Sequence, residues 1–174
     1  MAQKMNRRMG GELLLKLELR SDPGMLCVVR GAMERLTEVL GFSAAECRSV
    51  TRAVYEAITN IMRHSYKNQL HKPIQLQAVR LKPDARSGRG EGLEFLLCDR
   101  GPAVDPAKMQ GRQLDEIKPG GLGLHFIRQS MDVVEFKRGR GTYVLRLVKY
   151  LQPASAVEAG KRREALADLG PTNR

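Results

Sequence analysis

Three groups of residues in this chain have types and spacing suited to chemistry. In Val54-Tyr55-Glu56-Ala57-Ile58-Thr59-Asn60-Ile61-Met62-Arg63-His64, the residues Glu56, Asn60 and His64 recur every four positions. On a helix of 3.6 residues per turn they stack on one stripe. A carboxylate and a carboxamide one turn apart, bordering an apolar face, can reach a metal ion and a water or hydroxyl together. On the helix alone, the same stripe also fits a plain solvated face. The second group is Asp99-Arg100-Gly101, where an apolar run gives way to a loop. An aspartate there can accept a hydrogen bond from an exocyclic amine, and a type I turn is the plainer alternative. The third is Gly120-Gly121-Leu122-Gly123-Leu124, a glycine-rich turn opening a helical pattern. Free N–H groups at such a start favour a bound phosphate, and an ordinary turn fits as well. Lys118, His125 and Arg128 stand close enough in sequence to add positive charge to an anion there, or to sit in solvent.

The elements that must position these groups can be read from periodicity and turn chemistry. Leu13 to Leu19 alternates as a strand, and Ser21-Asp22-Pro23-Gly24 ends it. Met25 to Leu40 repeats apolar residues at helical spacing and is closed by Gly41. Ser43-Ala44-Ala45-Glu46 fits a capping box. It starts a long helix expected to run to about Tyr66, with Cys47, Val50, Val54, Ala57, Ile58 and Ile61 on its core face. Ile74 to Leu81 and Leu93 to Cys98 are expected strands joined by a polar, glycine-rich hairpin link. Ala107 to Lys118 is polar, with at most one short helix. Leu122 to Met131 is helical, and Val133 to Phe136 and Thr142 to Val148 are strands around a basic turn. The order β-α-α-β-β-α-β-β predicts an α+β, two-layer sandwich with helices on one face of a mixed β-sheet.

Composition sets the class. A chain of 174 residues without a long apolar run is expected to form one soluble domain. Met1 to Gly11 is polar and basic, unlike a signal peptide, and nothing approaches a membrane span. Cys27, Cys47 and Cys98 lack metal-ligand spacing and are expected to be small buried hydrophobes in a reducing, cytoplasmic setting. The net charge of +11 fits nucleic acid, an acidic protein, a polyphosphate or solubility alone. With no Trp and scattered Phe and Tyr, no aromatic-plus-basic nucleic-acid signature accompanies it, so a nucleic-acid binder ranks last.

The order of the three groups is more specific than any one of them. Glu-x-x-x-Asn on a helix, a strand ending Asp-x-Gly, Gly-Gly-x-Gly-Leu opening a helix and Gly141-Thr142 entering a strand resemble the Bergerat-type, histidine-kinase-like ATP-binding fold. That fold is shared by gyrase-type ATPases, heat-shock chaperone ATPases, MutL and histidine kinases. Within it, Glu56 to Tyr66, Asp99 to Gly101, Gly120 to Ile127 and Met131 to Phe136 are most similar to the bacterial anti-sigma factor serine/threonine-protein kinases. The likeness covers roughly residues 12 to 150, leaving a flexible N-terminus (1–11) and a basic tail (151–174) with no counterpart.

The resemblance implies roles. Glu56 is the general base and Asn60 the magnesium ligand toward ATP. Asp99 reads adenine, Gly101 leaves room for the ring, and Thr142 supports the adenine end. Gly120, Gly121, Leu122, Gly123 and Leu124 lie against the phosphates, with Arg63, His64, Lys118 and Arg128 completing the pocket. Lys108 to Lys118 corresponds to a short lid. The implied activity is phosphorylation of a serine on an anti-sigma factor antagonist of the STAS type, with sequestration of a sigma factor, by a homodimer. A nucleotide-binding module that captures a partner without transfer uses the same residues. The chain departs from the family where a second glycine would follow Gly101: Pro102 and Ala103 stand there. A sensor histidine kinase, with a histidine-bearing dimerisation helix before the domain, and a gyrase- or MutL-like machine, with a transducer domain after it, are not expected.

Overall fold

The computed structural model describes residues 11–84, 88–101, 122–138 and 142–152. Its elements are β1 (Glu12–Arg20), a 3-10 turn (Pro23–Met25), α1 (Leu26–Val39), α2 (Ala44–Asn60) and a π-helical turn (Ile61–Ser65). They continue with β2 (Pro73–Leu81), β3 (Gly92–Asp99), α3 (Leu122–Ser130), β4 (Val133–Arg138) and β5 (Tyr143–Tyr150). The expected succession is all present.

Local chemistry sets the helix starts. The Asp22 carboxylate accepts from the Gly24 N–H at 2.8 Å, and Pro23 occupies a first-turn position whose missing N–H costs nothing. At α2 both halves of the capping box form: the Ser43 N–H donates to Glu46 Oε2 at 2.8 Å and the Glu46 N–H to Ser43 Oγ at 3.3 Å.

The sheet order is β1-β2-β3-β5-β4. The expected mixed sheet is corrected here: every pairing among the described residues is antiparallel. β5 enters between β3 and β4, so β3 and β4 run the same way without touching. Strand alternation sends Leu76, Ala78, Phe95, Leu97, Leu145 and Leu147 to one face, where they meet Val50, Val54, Ala57, Ile58 and Ile61 of the long helix. All six residues expected on its core face are buried.

The other face carries a buried charge pair. Arg146 Nε bonds Glu94 Oε1, and Arg146 Nη1 lies 3.4 Å from Glu135 Oε2. The register explains it, since Arg146 stands opposite Glu135 and one diagonal step from Glu94.

Two further expectations change. Cys27 is exposed, not buried, because the buried stripe of α1 runs through Leu26, Val29 and Met33; its thiol donates to the Gly24 carbonyl at 3.1 Å. Cys47 is buried and Cys98 intermediate. The long helix also does not stay α-helical to Tyr66. It widens after Asn60, where the Tyr66 N–H reaches back to the Ile61 carbonyl at 3.0 Å, five residues away. The link from there to β2 holds three non-glycine residues in the left-handed region, Lys67, Asn68 and His71. Ser21 fastens that link, its hydroxyl donating to the Gln69 carbonyl at 2.6 Å and accepting from the Lys72 N–H at 2.9 Å.

Candidate functional site

The site is built along one helix. Its apolar face is locked into the core through Val54, Ala57 and Ile58, which leaves Glu56 and Asn60 half-buried on the flank. The first turn of α3 comes against that flank. A Cβ added at Gly123 would stand 2.9 Å from Glu56 Oε2 and 3.5 Å from both amide atoms of Asn60. The carboxylate and the carboxamide therefore converge on a spot kept open by the missing side chain. Higher on α2, the Arg52 guanidinium lies 3.8 Å from the centre of the Phe126 ring. This contact pins α3 to α2 one turn from Glu56.

The second half of the site lies at the wide turn. Asp99, at the end of β3, is 5% exposed. Its Oδ1 accepts from the Gly101 N–H at 2.8 Å, and the Ser65 hydroxyl donates to the same carboxylate. Burial pushes the Asp99 carboxyl above its ordinary value, and the bonds from Gly101 and Ser65 pull it partly back. A Cβ at Gly101 would meet Ser65 Cβ at 2.6 Å and Ser65 O at 2.9 Å. Glycine is required there by the wide turn itself, before any ligand is considered. The Tyr66 hydroxyl accepts from the Arg100 N–H at 2.9 Å and donates to the Pro73 carbonyl at 2.5 Å.

The residues expected from sequence fall into three sets. Glu56, Asn60 and Gly123 meet, and Asp99 and Gly101 meet at Ser65, five positions past Asn60 at the end of the π-helical turn. Thr142 is brought to the Asp99 end by register, because the next residue, Tyr143, pairs with Asp99. Leu124 is half-buried in α3; Arg63, His64 and Arg128 are exposed on the elements around the site. Lys118, Gly120, Gly121 and the expected lid at 108–118 lie outside the described residues, and of Leu122 only its place at the start of α3 is described. Ser65, Tyr66, Arg52 and Phe126 were missed. For Arg52 a signal was present, since it precedes Glu56 by one turn on the same stripe. For Ser65 and Tyr66 regular helical spacing points the wrong way.

The donor set bears on a metal. No group of three or more His, Cys, Asp or Glu that could hold an ion occurs among the described residues. An Asn60 amide oxygen beside an open, glycine-walled space fits a magnesium ion that keeps waters and takes its remaining ligands from phosphates. It does not fit an ion caged by protein alone.

The geometry gives a direct test of Gly123. In Gly123→Ala the crowded atom is the mobile end of Glu56, so the fold has little to lose. The carboxylate, however, must leave its place. We expect thermal stability to stay within about 2 °C and phosphate transfer at saturating ATP to fall about 10- to 100-fold. A variant with full activity would mean that transfer does not depend on Glu56 at this position.

Residues 19–149 match the family described as the histidine kinase-like ATPase domain. The serine-protein kinase RsbW of Bacillus pumilus is 25% identical over 146 residues, covering 79% of this chain and 86% of that protein. Among solved structures, one from the SiaB–SiaC complex of Pseudomonas aeruginosa superposes with a TM-score of 0.59 at 14% identity. It covers 85% of this chain and 95% of its own. A structure of the RsbU and RsbW domains of a Mycobacterium tuberculosis protein gives 0.52 at 17% identity, over 80% of this chain and 34% of that one. With the matched segment reaching from the end of β1 to β5 and enclosing Glu56, Asn60, Asp99 and Gly123, the chain belongs to the histidine kinase-like ATPase family.

Proposed function

We propose that this protein is an ATP-dependent serine/threonine-protein kinase that phosphorylates a small anti-sigma factor antagonist and sequesters a sigma factor. One observation carries the proposal: Glu56 and Asn60 converge on the open space at Gly123, where a carboxylate and a carboxamide oxygen face the same small volume. A base and a cation ligand that share one spot suit in-line phosphoryl transfer. The name serine-protein kinase RsbW on relatives at about a quarter identity supports it.

In this reading ATP is the substrate. Asp99 accepts from the exocyclic amine of adenine, and Thr142 stands at the same end. The N–H groups at the start of α3 face the phosphates. Asn60 holds magnesium, which when bound offsets charge on the triphosphate oxygens. Glu56 takes the proton of the acceptor serine as its oxygen bonds the γ-phosphorus. The bond from that phosphorus to the β–γ bridging oxygen breaks, and ADP leaves with the electron pair. Exposed Arg63 and Arg128 supply positive charge around the phosphates and the acceptor, and exposed His64 adds a hydrogen-bonding side chain.

A protein partner is supported by the solved neighbour taken from a complex with a second protein, SiaC. The reading includes a homodimer acting in the cytoplasm. Among the described residues no helix is long and apolar enough to cross a membrane.

The deciding experiment incubates the protein with labelled ATP, magnesium and a STAS-type antagonist. Label on an antagonist serine, lost without magnesium, is the expected result. Tight ATP binding with no transfer to any antagonist would select a nucleotide-switched capture module in place of a kinase.

A further inference from the structure

The wide turn after Asn60 has a geometry that the proposed chemistry does not by itself use. An α-helix continued past Asn60 would carry Ser65 and Tyr66 on round the axis. The π turn adds one residue to that circuit, visible in the Tyr66 N–H to Ile61 carbonyl bond at 3.0 Å. As a result two consecutive side chains, both under one-tenth exposed, act on the loop after β3. The Ser65 hydroxyl donates to the Asp99 carboxylate. The Tyr66 hydroxyl accepts from the N–H of Arg100, the next residue, at 2.9 Å while donating to the Pro73 carbonyl at the start of β2. Gly101 rests on Ser65 with no space for a Cβ.

Each part of that loop is therefore held by the turn. Its carboxylate is oriented by Ser65, its first peptide by Tyr66, and its glycine by contact with the Ser65 backbone and Cβ. Asp99 Oδ1 is already engaged by the Gly101 N–H at 2.8 Å. Only a fixed carboxylate can leave its remaining acceptor capacity aimed in one direction. We propose that Ser65 and Tyr66, presented by the π turn, are positioning residues that set the selectivity of the site for a 6-amino purine. This rests on the reading of Asp99 as the acceptor of the adenine amine, and it assigns to the turn a part in choosing the base, separate from phosphoryl transfer.

The test compares equilibrium binding of ATP and ITP to the full chain, with magnesium. ITP has the same ribose and triphosphate but an oxygen where adenine carries its amine. Wild type is expected to prefer ATP. In Tyr66→Phe and in Ser65→Ala, ATP affinity is expected to fall about tenfold, with ITP affinity within about twofold, so the preference collapses. Ser65→Ala leaves no backbone group unpaired. It serves as the independent variant should loss of the Tyr66 hydroxyl, which strands a part-buried N–H and a carbonyl, unfold the protein. Equal weakening of ATP and ITP in both variants, or no change in either nucleotide, would overturn the inference and leave the turn a general brace. A wild type that binds both nucleotides equally would instead remove the underlying reading of Asp99. That outcome is seen without any variant.

Discussion

Replacing Glu56 with Gln is expected to lower transfer to an acceptor serine by about 10²- to 10⁴-fold at saturating ATP, with ATP affinity held within about threefold. The substitution keeps the size and planarity of the side chain. It therefore keeps the fit beside Gly123, where Glu56 Oε2 lies 2.9 Å from the place a Cβ would take. What it removes is basicity, the one property the proposed step needs at that atom. Binding should survive because the end of the site proposed to recognise the base, at Asp99 and Ser65, is fixed by other bonds. Single-turnover transfer of label, with a parallel binding titration, separates the two quantities. Unchanged transfer would remove Glu56 as the base. Loss of ATP binding would make it a ligand group, and the capture module would become the better reading.

The site was legible in sequence to the extent that its residues obey local rules. Ser43 and Glu46 are three apart and form both bonds of the cap, so the phase of α2 was set, and with it the side on which Glu56 and Asn60 emerge. Val50, Val54, Ala57 and Ile58 repeat at helical spacing and all four are buried. The wide turn leaves no such trace. Ile61-Met62-Arg63-His64-Ser65 contains neither glycine nor proline and fits an α-helix, so the extra residue is set by what Ser65 and Tyr66 bind on β2 and β3, far away in sequence. Strand direction was hidden for a similar reason. β1 and β2 are separated by two helices, a connection that serves either a parallel or an antiparallel neighbour, and only the observed register decides. Glu94 and Arg146 are charges set among apolar strand residues, and nothing local says that they meet. Cys27 was misplaced because Leu26, Cys27, Val28 and Val29 are four apolar residues in a row, from which periodicity alone cannot choose the buried pair.

Asp99→Asn should move affinity and stability in opposite directions. The Asp99 carboxyl is raised above its ordinary value of 3.8, first by burial, with the Gly101 N–H and the Ser65 hydroxyl opposing. A carboxyl whose folded value lies above its unfolded value stabilises the fold fully below the unfolded value. That contribution is lost as pH rises through the folded one. Above the folded value the ionised side chain is therefore a net cost to the empty protein, and the neutral amide removes it. The apo variant should melt higher than wild type at pH 8, by about 2–4 °C for each kcal/mol recovered. The gap should narrow as pH falls toward the ordinary aspartate range. ATP binding should behave in the opposite way. If the amide oxygen of Asn keeps the Gly101 N–H bond now made by Oδ1 at 2.8 Å, the NH₂ group takes the place of the other carboxylate oxygen. A donor then faces the donor of adenine, and affinity should fall about 10- to 100-fold or more. Nucleotide titrations and thermal melts at pH 5 and pH 8 measure both effects. Unchanged ATP affinity would take the adenine contact away from Asp99. A lower melting point in the variant would mean that the two hydrogen bonds outweigh burial. A higher melting point with lost binding would identify Asp99 as a charge kept buried for its ligand, against the interest of the fold that holds it.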